Sequence, residues 1–81
     1  MLTELSQYPN VVGAKQGRRA IENGTARKVF LAHNADPRLT EPLARLCADK
    51  GVETEAVPAM KELGRACGIA VPAAVAAILA G

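Results

Sequence analysis

The residues most able to do chemistry follow a glycine: Gly13-Ala14-Lys15-Gln16-Gly17-Arg18-Arg19 holds three cations and an amide at the predicted start of a helix. Ala14, Gly17, Ala20, Ile21 and Gly24 recur at steps of three and four and form an inward face. Lys15, Gln16 and Arg19 fall on another face. A helix start carries partial positive charge and prefers Asp or Glu, yet this one has no acid in its first turn. Unbonded backbone N–H groups, the helix dipole and cationic side chains together suit a phosphate-bearing partner. Solvation of three long basic side chains on an exposed helix accounts for the charges equally well.

No catalytic constellation accompanies this stretch. His33 is the single histidine, so no Ser–His–Asp or Cys–His set can form, and no phosphate-loop glycine motif is present. Asp36, Glu41, Asp49, Glu53, Glu55 and Glu62 read as caps or as helix and strand surface. Cys47 and Cys67 read as two buried thiols of a reducing cytosol, and with His33 they make no plausible zinc set. The expectation is a non-enzyme without metal or cofactor.

Eighty-one residues make one small domain, 1–81. Tyr8 and Phe30 are the only aromatics, so the core must be Ala, Val, Leu and Ile, and a base-stacking platform is excluded by supply. A net charge of +2 leaves no polybasic arm, so any nucleic-acid contact is a local patch touching few phosphates. Met1 to Asn10 contains Glu4, Gln7 and Pro9 and no apolar run, unlike a secretory signal, and the expected location is the cytoplasm. Ile69 to Ala80 is too short for a membrane span and is interrupted by Pro72.

The elements that must position the basic helix alternate along the chain. Leu2 to Tyr8 is a short helix candidate with Thr3 as N-cap and Pro9 as its stop. Val11-Val12 is a brief strand ending at Gly13, and Asn23-Gly24 closes the basic helix. Thr25 to Lys28 reads as a polar connection and Val29 to Ala32 as a strand buried on both faces. His33 to Pro37 is a turn with Asp36 as N-cap of the next helix. Thr40 is placed to cap a restart that tolerates Pro42, Leu39, Leu43, Leu46 and Cys47 form the stripe, and Lys50-Gly51 ends it. Val52 to Val57 alternates as a strand near an edge, with two exposed glutamates. A helix after Pro58 points Met60, Leu63 and Cys67 one way and Lys61 and Arg65 the other, with Gly68 as its C-cap. The alanine-rich tail favours helix by propensity, but the alternation upstream leaves a sheet that accepts Ala74 to Leu79 as a central strand. The predicted architecture is a three-layer α/β/α sandwich around a small four-stranded mixed sheet.

The glycine–helix stretch, the Ala32 to Pro37 turn and the run Met60-Lys61-Glu62-Leu63-Gly64-Arg65-Ala66-Cys67-Gly68-Ile69 occur together and in order. They resemble the ribosomal-protein family that binds kink-turn RNA, the archaeal large-subunit "seven-Ae" type and its small bacterial paralogues. The resemblance extends from about Leu5 to Leu79, and Leu63 to Ile69 is its most specific segment. It implies RNA binding without catalysis, with Gly13, Ala14, Lys15, Gln16 and Arg19 entering the RNA major groove at tandem sheared G·A pairs. The archaeal pattern has Asn, Glu and Lys where this chain has Lys15, Gln16 and Arg19, while small bacterial relatives share the Lys-Gln pair. Gln16 keeps an acceptor, whereas Lys15 can only donate, to guanine O6 or N7 or to a phosphate. A second zone implied by the resemblance cradles an extruded nucleotide and maps onto Asp36, Thr40, Met60 and the loop Ile69-Ala70-Val71, with Lys61 beside it. Met60 stands where the family often has Lys, and Ala70 where a polar residue is common, so this pocket is more apolar here. Asp36 is explained as readily by capping alone, and Met60 by core packing.

Two functions from different classes follow. The first is a monomeric module for kink-turn or similar elements in ribosomal RNA or a regulatory leader, with neither DNA nor membrane as partner. The alternative is a protein–protein adaptor on the same fold, since fold does not fix function.

Overall fold

A computed structural model describes residues 3–80. The order is α1 (Glu4–Gln7), β1 (Asn10–Val12), α2 (Ala14–Glu22), β2 (Ala26–Ala32), α3 (Pro37–Lys50), β3 (Glu53–Val57), α4 (Met60–Ala66) and β4 (Val75–Leu79). The predicted start of the first helix at Leu2 lies outside the described residues. Thr3 stands at its N-cap position without a side-chain cap bond.

The strands form one mixed sheet in the order β1-β4-β2-β3. β4 is antiparallel to both β1 and β2, and β2 is parallel to β3. The alanine-rich tail is therefore a central strand, because it is hydrogen-bonded on both sides and Val75 to Ile78 are buried. Side chains alternate between two cores. Phe30, Ala32, Val57, Ala76 and Ile78 pack with Leu5 of α1 and Leu63 of α4. Val29, Val75 and Ala77 pack with Ala20 and Ile21 of α2 and Leu43 and Cys47 of α3. Helices thus cover both faces, as two apolar strands require.

Four local expectations are corrected. β2 begins at Ala26, so Ala26-Arg27-Lys28 is strand and not connection. A lysine can occupy the sheet because its amine is met by carboxylates: Glu4 at 2.7 Å, Glu55 at 2.9 Å and Glu53 at 3.6 Å. Lys28 is only 8% exposed, and its amine also lies 5.2 Å from the Phe30 ring centre. This explains the second correction. In β3, Glu55 turns toward Lys28 and is half-buried, while Thr54 and Ala56 are exposed. Third, α3 runs through Pro42 without a restart at Thr40. Cys67, expected to be buried, is only half-buried, whereas Cys47 is fully enclosed, and both are free thiols. Among the described residues no helix is long and apolar enough to cross a membrane.

The Lys28 cluster carries two predictions. Lys28→Met should cost about 1–3 kcal/mol, because its carboxylate partners lose a nearly buried cation. A urea titration reads it as a lower midpoint at unchanged slope. The Lys28 hydrogen bond pulls the Glu4 carboxyl from 4.5 down to about 2, and Glu55 is lowered by the same partner. A depressed carboxyl stabilises the fold above its unfolded value, and that stabilisation fades as pH falls through the folded one. Melting temperature should therefore hold steady above about pH 5 and fall between 4.5 and about 2, with a shallower fall in Lys28→Met.

Candidate nucleic-acid interface

β1, β2 and β3 all run against β4, so their carboxyl ends meet the amino end of β4 at one edge of the sheet. Open α/β sheets bind ligands beyond the carboxyl ends of their strands. Here that edge carries the Gly13 turn, the 33–36 turn, the start of α4 and the loop 68–74.

The Gly13 turn is fixed by its backbone. Gly13 has φ +106°, a conformation that L side chains rarely adopt. Its N–H donates to the Val75 carbonyl at 2.8 Å and its carbonyl accepts the Gly17 N–H at 2.9 Å. No side chain caps α2, and among the described residues the N–H groups of Ala14, Lys15 and Gln16 find no acceptor. Lys15, Gln16, Arg18 and Arg19 are exposed, while Gly17, Ala20 and Ile21 are buried. The absent Cβ of Gly17 allows this packing, since a Cβ there would lie 2.9 Å from Val75 Cγ1.

The second zone is sewn from α4 and the loop after it. The Met60 N–H donates to Asn34 Oδ1 at 2.8 Å, and the Met60 carbonyl accepts from Ala73 N–H at 3.0 Å. The Ala32 N–H donates to the Ala74 carbonyl at 2.9 Å. Gly68, at φ +76°, ends the helix and releases Ile69, Ala70 and Val71 to the surface. Ile69 is 37% and Val71 62% exposed. With Lys61, Arg65 and Pro72 they line a depression of 230 Å³. Met60 instead packs against the core formed with Leu63.

The two zones share an anchor. The carbonyl of Val75 holds Gly13, and Val75 lies four residues after Val71, at most roughly 14 Å of extended chain. Across the edge, Asp36 caps α3 by accepting the Arg38 N–H at 2.9 Å, and it also grips Arg38 Nε and Nη2 at 3.1 and 2.8 Å. The Arg38 guanidinium holds the Asp36 carboxyl below its usual range, and Asp36 in turn raises the proton affinity of Arg38. Asp36 is thus engaged within the protein, while Thr40 is half-buried beside the turn. Asn34, Arg38 and Arg65 were invisible as site residues in the sequence: a turn residue and two surface arginines give no local signal. Among the described residues no cluster of His, Cys, Asp and Glu could hold a metal.

The sequence matches the ribosomal protein L7Ae/L30e/S12e/Gadd45 family over residues 4–81. The chain belongs to this family. Among similar proteins, an RNA-binding protein of Bacillus pumilus is 41% identical over 69 residues, 85% of this chain and 84% of the relative. RNA-binding protein YbxF of Geobacillus stearothermophilus is also 41% identical over 69 residues, with the same coverage of 85% and 84%. Among solved structures, the Giardia lamblia 15.5kD RNA binding protein superposes with a TM-score of 0.87 at 31% identity, over 99% of this chain and 68% of that protein. A Bacillus halodurans protein of unknown function shares the fold, with a TM-score of 0.85 at 22% identity over 99% and 84% of the two chains.

Proposed function

We propose that this L7Ae-family protein binds a kink-turn or kink-turn-like RNA in the cytoplasm, as a monomer and without catalysis or cofactor. Gly13, Ala14, Lys15, Gln16 and Arg19 meet the tandem G·A pairs, and Ile69, Ala70 and Val71 with Lys61 hold the extruded nucleotide. The observation that carries this reading is the tether of Gly13 to the Val75 carbonyl, which ties an uncapped, cationic helix start to the chain four residues after an exposed apolar loop. Family membership and relatives named as RNA-binding proteins support it. An apolar loop with two flanking cations suits van der Waals contact with an unstacked base and its phosphate. Lys15 cannot accept from a guanine amino group, so the preferred sequence around the G·A pairs should differ from that of relatives with an acid there.

A gel-shift series with a kink-turn RNA and a plain hairpin of equal length tests the reading. The kink-turn should bind more tightly, and replacing the G·A pairs by Watson–Crick pairs should abolish the difference. Affinity should fall with salt along a shallow slope, on the order of 2–4 phosphates. Equal affinity for the two RNAs would defeat the proposal.

A further inference from the structure

A groove runs between α2 and α3, away from the carboxyl edge of the sheet. Its upper part, about 360 Å³, is lined by Lys15 and Arg18 from α2 and Arg38 and Leu39 from α3. A lower part, about 190 Å³, shares Arg18 and Pro42 and adds Arg45 and Asp49. Four cations, Lys15, Arg18, Arg38 and Arg45, and one acid, Asp49, line the groove; Arg38 is paired with Asp36 and Arg18 with Glu22 at its margin, while Lys15 and Arg45 make no ion pair among the described residues. On the opposite face of the sheet Glu4, Glu53 and Glu55 gather round Lys28. Three arginines and a lysine from two neighbouring helices thus face one groove.

We infer that the α2–α3 groove is a second RNA contact, in which Arg18, Arg38 and Arg45 hold the phosphate backbone of a duplex stem continuing from the G·A site. The inference rests on the proposed function, because Ala14 and Lys15 belong both to the Gly13 turn and to the head of the groove. A stem seated on the turn is thereby carried toward the groove. Arg38 and Arg45 lie two helical turns apart, about 10 Å along α3, a span that matches a phosphate strand better than a single ion. Asp36 grips Nε and Nη2 of Arg38 and so fixes its guanidinium at the mouth. The Arg18–Glu22 pair, at 3.4 Å between exposed side chains, is too weak to withhold Arg18 from a phosphate. The groove has no aromatic side chain, which argues for backbone contact with a duplex and against stacking on single-stranded bases.

The test uses two RNAs with the same kink-turn, one with minimal flanking stems and one with each stem lengthened by a helical turn. Wild-type protein should bind the longer RNA about tenfold more tightly at low salt, with a steeper salt dependence. The triple variant Arg18→Gln, Arg38→Gln, Arg45→Gln should lose that preference, keep its affinity for the short RNA within about twofold, and show a salt slope shallower by about 2. Circular dichroism establishes that the variant is folded. If losing the Arg38 cap contact unfolds it, Arg45→Gln alone should remove about a third of the slope difference. Equal wild-type affinity for the two lengths, or a length preference that survives the substitutions, overturns the inference. Those results leave the G·A discrimination intact, whereas failure of the proposed function removes it.

Discussion

Gly64→Ala is expected to destabilise the protein by about 3 kcal/mol and lower its melting temperature by roughly 15 °C. A Cβ on Gly64 would fall onto the carbonyl oxygen of Val71 and stand 3.1 Å from the Val71 carbonyl carbon and 3.2 Å from Pro72 Cα. These are backbone atoms and cannot rotate away. Either α4 separates from the sheet, uncovering Leu63, or the loop 69–72 shifts outward. The second response relocates Ile69 and Val71, so RNA affinity should fall even at temperatures where the variant is folded. Gly17→Ala is the milder comparison. The atom in its way is one side-chain methyl of the buried Val75 and not backbone, and alanine favours helix by about 1 kcal/mol, so that gain offsets part of the clash and the loss should be smaller than for Gly64→Ala. Thermal melts of both variants, followed by gel shifts below the transition, separate the cases. A Gly64→Ala protein that melts like the wild type would show that the loop is not held where it is described.

The largest functional effect should come from the head of α2. Lys15→Ala with Arg19→Ala should weaken binding to a kink-turn RNA by roughly 100-fold at low salt, with each single change contributing about tenfold. Both side chains are exposed and make no ion pair among the described residues, so the fold should be untouched. Gln16→Ala should act differently. It removes an acceptor without removing charge, so discrimination between G·A and Watson–Crick RNAs should shrink while the salt slope stays constant. Competition titrations at two salt concentrations resolve the two behaviours. Full affinity in the double variant would sever the basic helix start from RNA.

The sequence made the helix start legible because its signals are local. A glycine, a step of three and four, and an acid-free first turn lie within ten residues of one another. The Asp36 cap and the left-handed ends at Gly51 and Gly68 were readable for the same reason. The central place of the last strand was legible only through the alternation upstream, since its alanines favour helix by themselves. What stayed hidden was set by distant partners. Lys28 looks like loop until Glu4 and Glu55 are seen to meet it, and Glu55 looks like solvent surface until Lys28 is placed. Asn34 is an ordinary turn residue until its carbonyl oxygen is found on the Met60 N–H. The basic groove draws its cations from helices that contact only in the folded chain, and Pro42 suggested a break that α3 does not make.

The most direct measurement is a map of backbone amide shifts as a kink-turn RNA is titrated into isotopically labelled protein. The amides from Gly13 to Arg19 and from Gly68 to Val71 should shift together along one binding curve, while Thr54 and Ala56 on the far edge strand stay still. Shifts confined to one of those two segments, or centred on β3, would contradict a single surface built around Val75.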